Sequence, residues 1–158
     1  MDECTLFYNR HKHKLFAYLM RVTGDYHMSG DIMQESFTRL LERYGQEERS
    51  LPLLYAIARN LVLDGARRQA GTVPLEGEES DRSFDQEHLL MAREEYRRVL
   101  SAMRQLGKEE RDVLALVVTG ELSYREIASV SGISESNVKV KVHRARLKLR
   151  EILQEGEV

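Results

Sequence analysis

The sequence predicts an all-α fold of two small helical domains joined by a flexible acidic linker, and three observations carry that expectation. Apolar residues recur at helical spacing along most of the chain, with no convincing run of period-2 alternation that would mark a strand. The composition suits helices, since Leu, Arg and Glu are abundant and only two prolines occur in 158 residues. The helical spacing stops once, between Gln69 and Gln86, where Gly71, Pro74, Gly77 and a run of acids break it.

The elements follow in order. Leu6, Leu15, Phe16, Leu19 and Val22 predict a first helix over Thr5–Val22, ended by Gly24-Asp25. A second is expected over Ser29–Tyr44, with Met33, Phe37, Leu40, Leu41 and Tyr44 on its buried side. A third begins at Leu51-Pro52, where proline is tolerated in a first turn, and reaches about Arg68. Its buried face is Leu54, Ile57, Ala58 and Leu61. These helices form an expected domain over residues 1–68. After a linker over 69–86, Leu89, Leu90, Tyr96, Val99, Leu100, Met103 and Leu106 restart the pattern, and a second domain is expected over 87–158. Each domain is small for an independent core, so stabilisation by a partner is expected.

Charge is distributed unevenly along the chain. The net charge is only −2, yet Val138–Arg150 carries Lys139, Lys141, Arg144, Arg146, Lys148 and Arg150 with no acid. Gly71–Leu90 carries Glu76, Glu78, Glu79, Asp81, Asp85 and Glu87 against Arg82 alone, a composition that extends a linker by self-repulsion. The single cysteine, Cys4, allows no internal disulfide. The N-terminal Met-Asp-Glu-Cys-Thr lacks the basic and apolar regions of a signal peptide, and no apolar run approaches the ~20 residues that span a bilayer. A cytoplasmic protein without membrane insertion is expected.

The C-terminal part holds the chemistry. Leu106 to Leu114 opens a helix with Glu109, Glu110 and Asp112 at its positive end, and Gly120 closes it. Ser123 with Glu126 is a capping box for a short helix over Tyr124–Val130. Gly132 makes the turn and Ser134 caps the last helix. Helix, glycine-containing turn and helix is the helix-turn-helix arrangement.

At about 100° per residue, Val138, Val142, Ala145 and Leu149 form a narrow stripe on the last helix, assigned to the core. Opposite lie Ser136, Val140, His143, Arg144 and Leu147, flanked by Asn137, Lys139, Lys141 and Arg146. Such a helix presents short polar and basic side chains to a major groove, whose donor and acceptor patterns distinguish all four base pairs. Asn137, Val140, His143 and Arg144 are expected at base edges. Lys139, Lys141 and Arg146 are expected on phosphates, which position the protein without specifying sequence. A merely solvated face would mix acids with bases for i,i+4 pairing. This one does not.

Leu-Ser-Tyr-Arg-Glu-Ile-Ala at 122–128, Gly-Ile-Ser-Glu-Ser-Asn-Val-Lys at 132–139 and His-Arg-Ala-Arg-Leu-Lys-Leu-Arg at 143–150 resemble region 4 of extracytoplasmic-function sigma factors of the sigma-70 family. Asp-Ile-Met-Gln-Glu-Ser-Phe at 31–37, and Ala-Ile-Ala-Arg-Asn-Leu-Val-Leu-Asp at 56–64 followed by Arg67-Arg68, resemble region 2 of the same family in the expected order. The resemblance covers nearly the whole chain outside the linker.

It implies a factor that directs RNA polymerase to promoters, without catalysis or cofactor of its own. Region 4, with Ser136, Asn137, Lys139, Val140, Lys141, His143, Arg144 and Arg146, would bind the −35 element. Arg59, Asn60, Leu63, Arg67 and Arg68, with the loop from Gly45 to Leu51, would meet the −10 element. Asp31, Gln34, Glu35 and Thr38 would dock on the β′ clamp helices of core RNA polymerase, and region 4 on its β flap. Promoter DNA and an anti-sigma factor complete the implied partners. The sequence departs from the family at Ser50 and Leu53, where many members carry aromatics that offer flat faces to melted bases. It departs again across Gly24–Gly30, where an acidic approach to Asp31 is usual.

Two other readings are weaker. A helix-turn-helix regulator acting without polymerase leaves the Asp31–Phe37 motif unexplained. A metal sensor using Cys4, His11 and His13 is disfavoured because i,i+2 residues do not share a helix face. No phosphate-cradling glycine loop, nucleophile constellation or paired-carboxylate site points to an enzyme.

Overall fold

A computed structural model describes residues 2–44, 50–69 and 86–156. Seven helices run in chain order: α1 (Glu3–Thr23), α2 (Tyr26–Tyr44), α3 (Leu51–Gln69), α4 (Gln86–Arg104), α5 (Lys108–Val118), α6 (Tyr124–Ser131) and α7 (Glu135–Glu155). The expected linker over 69–86 lies, apart from its ends, outside the described residues, as do 45–49 of the expected loop.

Local chemistry sets the helix ends. The Asp2 carboxylate accepts the Cys4 amide at 3.2 Å and opens α1 earlier than apolar spacing indicates. Gly24 closes it in the left-handed region (φ 66°), its amide returning 2.8 Å to the Met20 carbonyl. The Asp25 carboxylate then accepts the Met28 amide at 3.0 Å, so α2 starts at Tyr26, three residues before the expected Ser29. Ser50, one of the two positions without the usual aromatic, accepts the Leu53 amide at 3.4 Å where α3 begins.

The buried side of α2 is rotated from the expected one. Ser29, Ile32, Ser36, Phe37 and Leu40 face inward, whereas Leu41 and Tyr44 are exposed. Two buried serines pass unnoticed in an apolar pattern because their hydroxyls are satisfied nearby. Ser36 donates to the Ile32 carbonyl at 2.6 Å, and Ser29 shares a 2.9 Å bond with Thr23. On α3, Leu54 and Ala58 are buried as expected, and Tyr55 joins them. On α1, Leu15 and Leu19 are buried together with Tyr18, while Leu6 is exposed.

Helix α2 packs against both α1 and α3, and α5, α6 and α7 pack on one another. Helix α4 meets α7 on one side and α1 on the other. The two helical sets also meet directly, α1 on α5 and α3 on α6. One apolar core therefore includes Leu19 and Leu54 from the first half and Leu116 and Ile127 from the second. Arg111 ties α4 to α5: its guanidinium donates to the carbonyls of Met103, Arg104 and Leu106 at 2.9, 2.8 and 2.9 Å. Arg111 thereby serves carbonyls at and just beyond the last turn of α4, where i,i+4 pairing has ended. Burial, then the charge of Arg104, holds the Arg111 guanidinium below its ordinary value.

Candidate nucleic-acid interface

The helix-turn-helix is built by caps. The Ser123 amide donates to Glu126 Oε1 at 2.9 Å and the Glu126 amide donates to Ser123 Oγ at 3.1 Å, which closes the capping box on α6. Gly132 turns the chain at φ 71°, a conformation that L side chains rarely adopt. Ser134 Oγ then accepts the Asn137 amide at 3.1 Å and starts α7. Ile127 and Ala128 of α6 face Val138, Val142 and Ala145 of α7 across the shared core.

With one stripe of α7 anchored, the opposite one is displayed. Ser136, Asn137, Lys139, Val140, His143, Arg144 and Arg146 are all exposed, and nearly half the Val140 and Leu147 surfaces face solvent (44% and 45%). Lys141 differs from its neighbours. Its Nζ lies 2.5 Å from Glu109 Oε2 on α5, and its side chain is only 16% exposed against 79% for Glu109. That bond, and then the lysine charge, hold the Glu109 carboxyl below its ordinary value.

In the first half, Asp31, Gln34, Glu35 and Thr38 lie together on the exposed side of α2. Gln34 Nε2 donates to the Tyr8 hydroxyl at 2.8 Å, and Glu35 pairs with Arg39 one turn on at 2.8 Å. On α3, Asn60 and Leu63 are exposed; the side chains of Arg67 and Arg68 lie outside the described residues.

Arg59 is placed otherwise than α3 periodicity indicates. Its Nε donates to Asp112 Oδ2 at 2.7 Å, with the two side chains 26% and 17% exposed. Burial lowers the Arg59 guanidinium, but the bond to Asp112 and its charge outweigh this and hold the group above its ordinary value.

Asp112 belongs to a polar seam between the two helical sets that helical periodicity does not reveal. Its other carboxylate oxygen accepts the Tyr18 hydroxyl at 2.5 Å. Glu121 does the same from the turn between α5 and α6: it accepts the Tyr55 hydroxyl at 2.8 Å, and His11 Nδ1 lies 2.6 Å from its second oxygen. The Tyr18 and Tyr55 rings pack edge to face with centroids 5.5 Å apart. Burial first, and the adjacent carboxylates second, push both phenols well above their ordinary value. They are neutral donors. His11 thus faces Glu121, and among the described residues no three of His, Cys, Asp and Glu gather as metal ligands.

Comparison with known proteins matches each half separately. Residues 7–72 match the family described as "Sigma-70 region 2" and residues 96–149 match "Sigma-70, region 4". The ECF RNA polymerase sigma factor SigL of Mycobacterium tuberculosis is 30% identical, over 94% of this chain and 87% of that protein. The ECF RNA polymerase sigma factor SigM of Bacillus subtilis is 28% identical, over 94% of both chains. Among solved structures, the sigma factor RpoE in complex with the anti-sigma factor NepR from Bartonella quintana superposes with a TM-score of 0.73 at 17% identity, covering 95% of this chain and 96% of that one. CnrH in complex with the cytosolic domain of CnrY superposes at 0.72 and 23%, covering 96% and 88%.

Proposed function

The chain belongs to the sigma-70 family as an extracytoplasmic-function RNA polymerase sigma factor, and from that premise we propose which of its residues grip polymerase and promoter. The single observation that carries the residue assignment is α7. A buried stripe locks its orientation, and its exposed side carries bases without an acid from Val138 to Arg150. In the major groove of the −35 element, Asn137, Val140, His143 and Arg144 read base edges, with Ser136 beside them. Lys139 and Arg146 take phosphates, and Lys141 does so once released from Glu109.

Asn60, Leu63, Arg67, Arg68 and a released Arg59 meet the −10 element, and Asp31, Gln34, Glu35 and Thr38 dock on core polymerase at the β′ clamp helices. Region 4 docks on the β flap. The domains are residues 1–68 and 87–158. In this reading the protein performs no bond chemistry. Binding energy from holding an opened −10 strand offsets base unpairing, and polymerase makes the RNA. Two weak DNA grips held through one polymerase gain effective concentration, so each small module selects only together with the other. The protein works in the cytoplasm beside polymerase and is held in check by an anti-sigma factor. Among the described residues no helix is long and apolar enough to cross a membrane.

Transcription in vitro with core polymerase and a randomised promoter pool tests the reading. Promoter-dependent RNA is expected, with Arg144→Ala relaxing base preference in the −35 element. Folded protein that yields no promoter-dependent RNA refutes it. A regulator acting without polymerase is not favoured, because the region 2 match spans residues 7–72.

A further inference from the structure

We propose that this chain masks its own promoter-facing surface through a polar latch, in which Asp112 and Glu121 of the second half hold Tyr18, Arg59, Tyr55 and His11 of the first. The inference rests on the functional reading above, since it assigns the same Arg59 two partners in turn. Arg59 sits on Asp112 here, so it is unavailable to a DNA phosphate while the two halves touch. The contacts are paired. Each carboxylate faces two side chains of the first half, one through each oxygen, and each takes one buried tyrosine hydroxyl. Glu109 adds to the negative field at Arg59 and at the same time holds Lys141 of the DNA-reading helix. The second half therefore withdraws one cation from each DNA-facing set.

The chemistry suits a contact that opens. Arg59 and Asp112 each keep part of their side-chain surface in water, so separation returns hydration to charges whose pairing had removed only some of it. A strong competitor for Arg59, such as a phosphate backbone, then has a defined bond to displace. Closure also lowers the apparent affinity for polymerase. A free population about nine-tenths closed raises the apparent dissociation constant about tenfold, because only the open fraction is competent.

Small-angle scattering and polymerase titration of the full chain test the latch. The wild type is expected near the radius of gyration of a compact chain this long, roughly 15 Å. The double variant Asp112→Ala/Glu121→Ala, which removes all four acceptor oxygens, is expected to expand by several ångström and to reach half-maximal promoter-dependent RNA at about one-tenth of the wild-type concentration. If circular dichroism shows that variant unfolded, Tyr18→Phe/Tyr55→Phe removes two of the four bonds while keeping both rings. It should then move both readouts in the same direction. A variant as compact as the wild type overturns the latch, and so does one that expands without any gain for polymerase. Wild type that initiates while the variants do not differ from it refutes the latch alone. Absence of promoter-dependent RNA from every protein refutes the functional reading, and the masking with it.

Discussion

The bond between Lys141 and Glu109 makes a prediction that separates two lysines one turn-half apart on α7. Each Lys or Arg contact to a duplex phosphate adds about 0.9 to the slope of log affinity against log salt. Lys139 is exposed, so Lys139→Ala should flatten the slope by that amount. Over a fourfold rise in salt, from about 50 to 200 mM, one such contact is worth about 3.5-fold in affinity. Lys141 is held 2.5 Å from Glu109, whose carboxyl that bond, and then the lysine charge, hold below its ordinary value. While the pair persists, Lys141→Ala should flatten the slope by much less than Lys139→Ala. Glu109→Gln leaves Lys141 without its acid and should steepen the slope by up to about 0.9. On that background Lys141→Ala should then cost the full amount. The assay is fluorescence anisotropy of a labelled promoter duplex, bound by polymerase carrying each variant, across that salt range. Equal flattening by Lys139→Ala and Lys141→Ala, with no change from Glu109→Gln, would show that Lys141 reaches DNA regardless of Glu109 and refute the reasoning.

Further outcomes follow from the same structure. Tyr18 and Tyr55 hold their protons above the ordinary tyrosine value of 10.0. The stability linked to them is therefore complete below pH 10 and lost as pH rises through the raised folded values, where the unfolded chain ionises first. Spectrophotometric titration should show these phenols lagging the exposed ones, and Tyr18→Phe/Tyr55→Phe should flatten the alkaline loss of thermal stability. Ser123→Ala removes the serine hydroxyl bond of the capping box and should lower stability by about 1 kcal/mol in denaturant unfolding, with α6 the segment that loses amide-exchange protection. Arg111→Lys keeps the charge but cannot reproduce a planar fork over three carbonyls. It should cost about 2 kcal/mol by the same measurement; an unchanged midpoint would mean that water serves the end of α4 equally well.

Much of this molecule is legible in its sequence because the controlling bonds span a few residues. The caps at Gly24, Ser123, Gly132 and Ser134 are each satisfied within five residues, so residue types at short spacing predict them. The two faces of α7 are readable for the same reason: periodicity alone assigns Val138, Val142 and Ala145 inward and Val140, His143 and Arg144 outward, and they lie so. Periodicity misplaces the face of α2 because Ser29 and Ser36 count as polar in a pattern although their hydroxyls are satisfied on the buried side.

The seam is a different case. Asp112 reads as one more acid at the positive end of a helix, and Arg59 as one more base opposite a buried face. Only the packing of α1 and α3 against α5 and α6 joins them across 53 residues, and joins His11 to Glu121 across 110. The helices, most of their caps and the exposed side of α7 are written in the sequence, because those depend on neighbours along the chain. Which charges are held by a partner, as Lys141 is by Glu109 and Arg59 by Asp112, was decided by tertiary structure alone, because a carboxylate's partner is whichever donor the fold brings within hydrogen-bond reach.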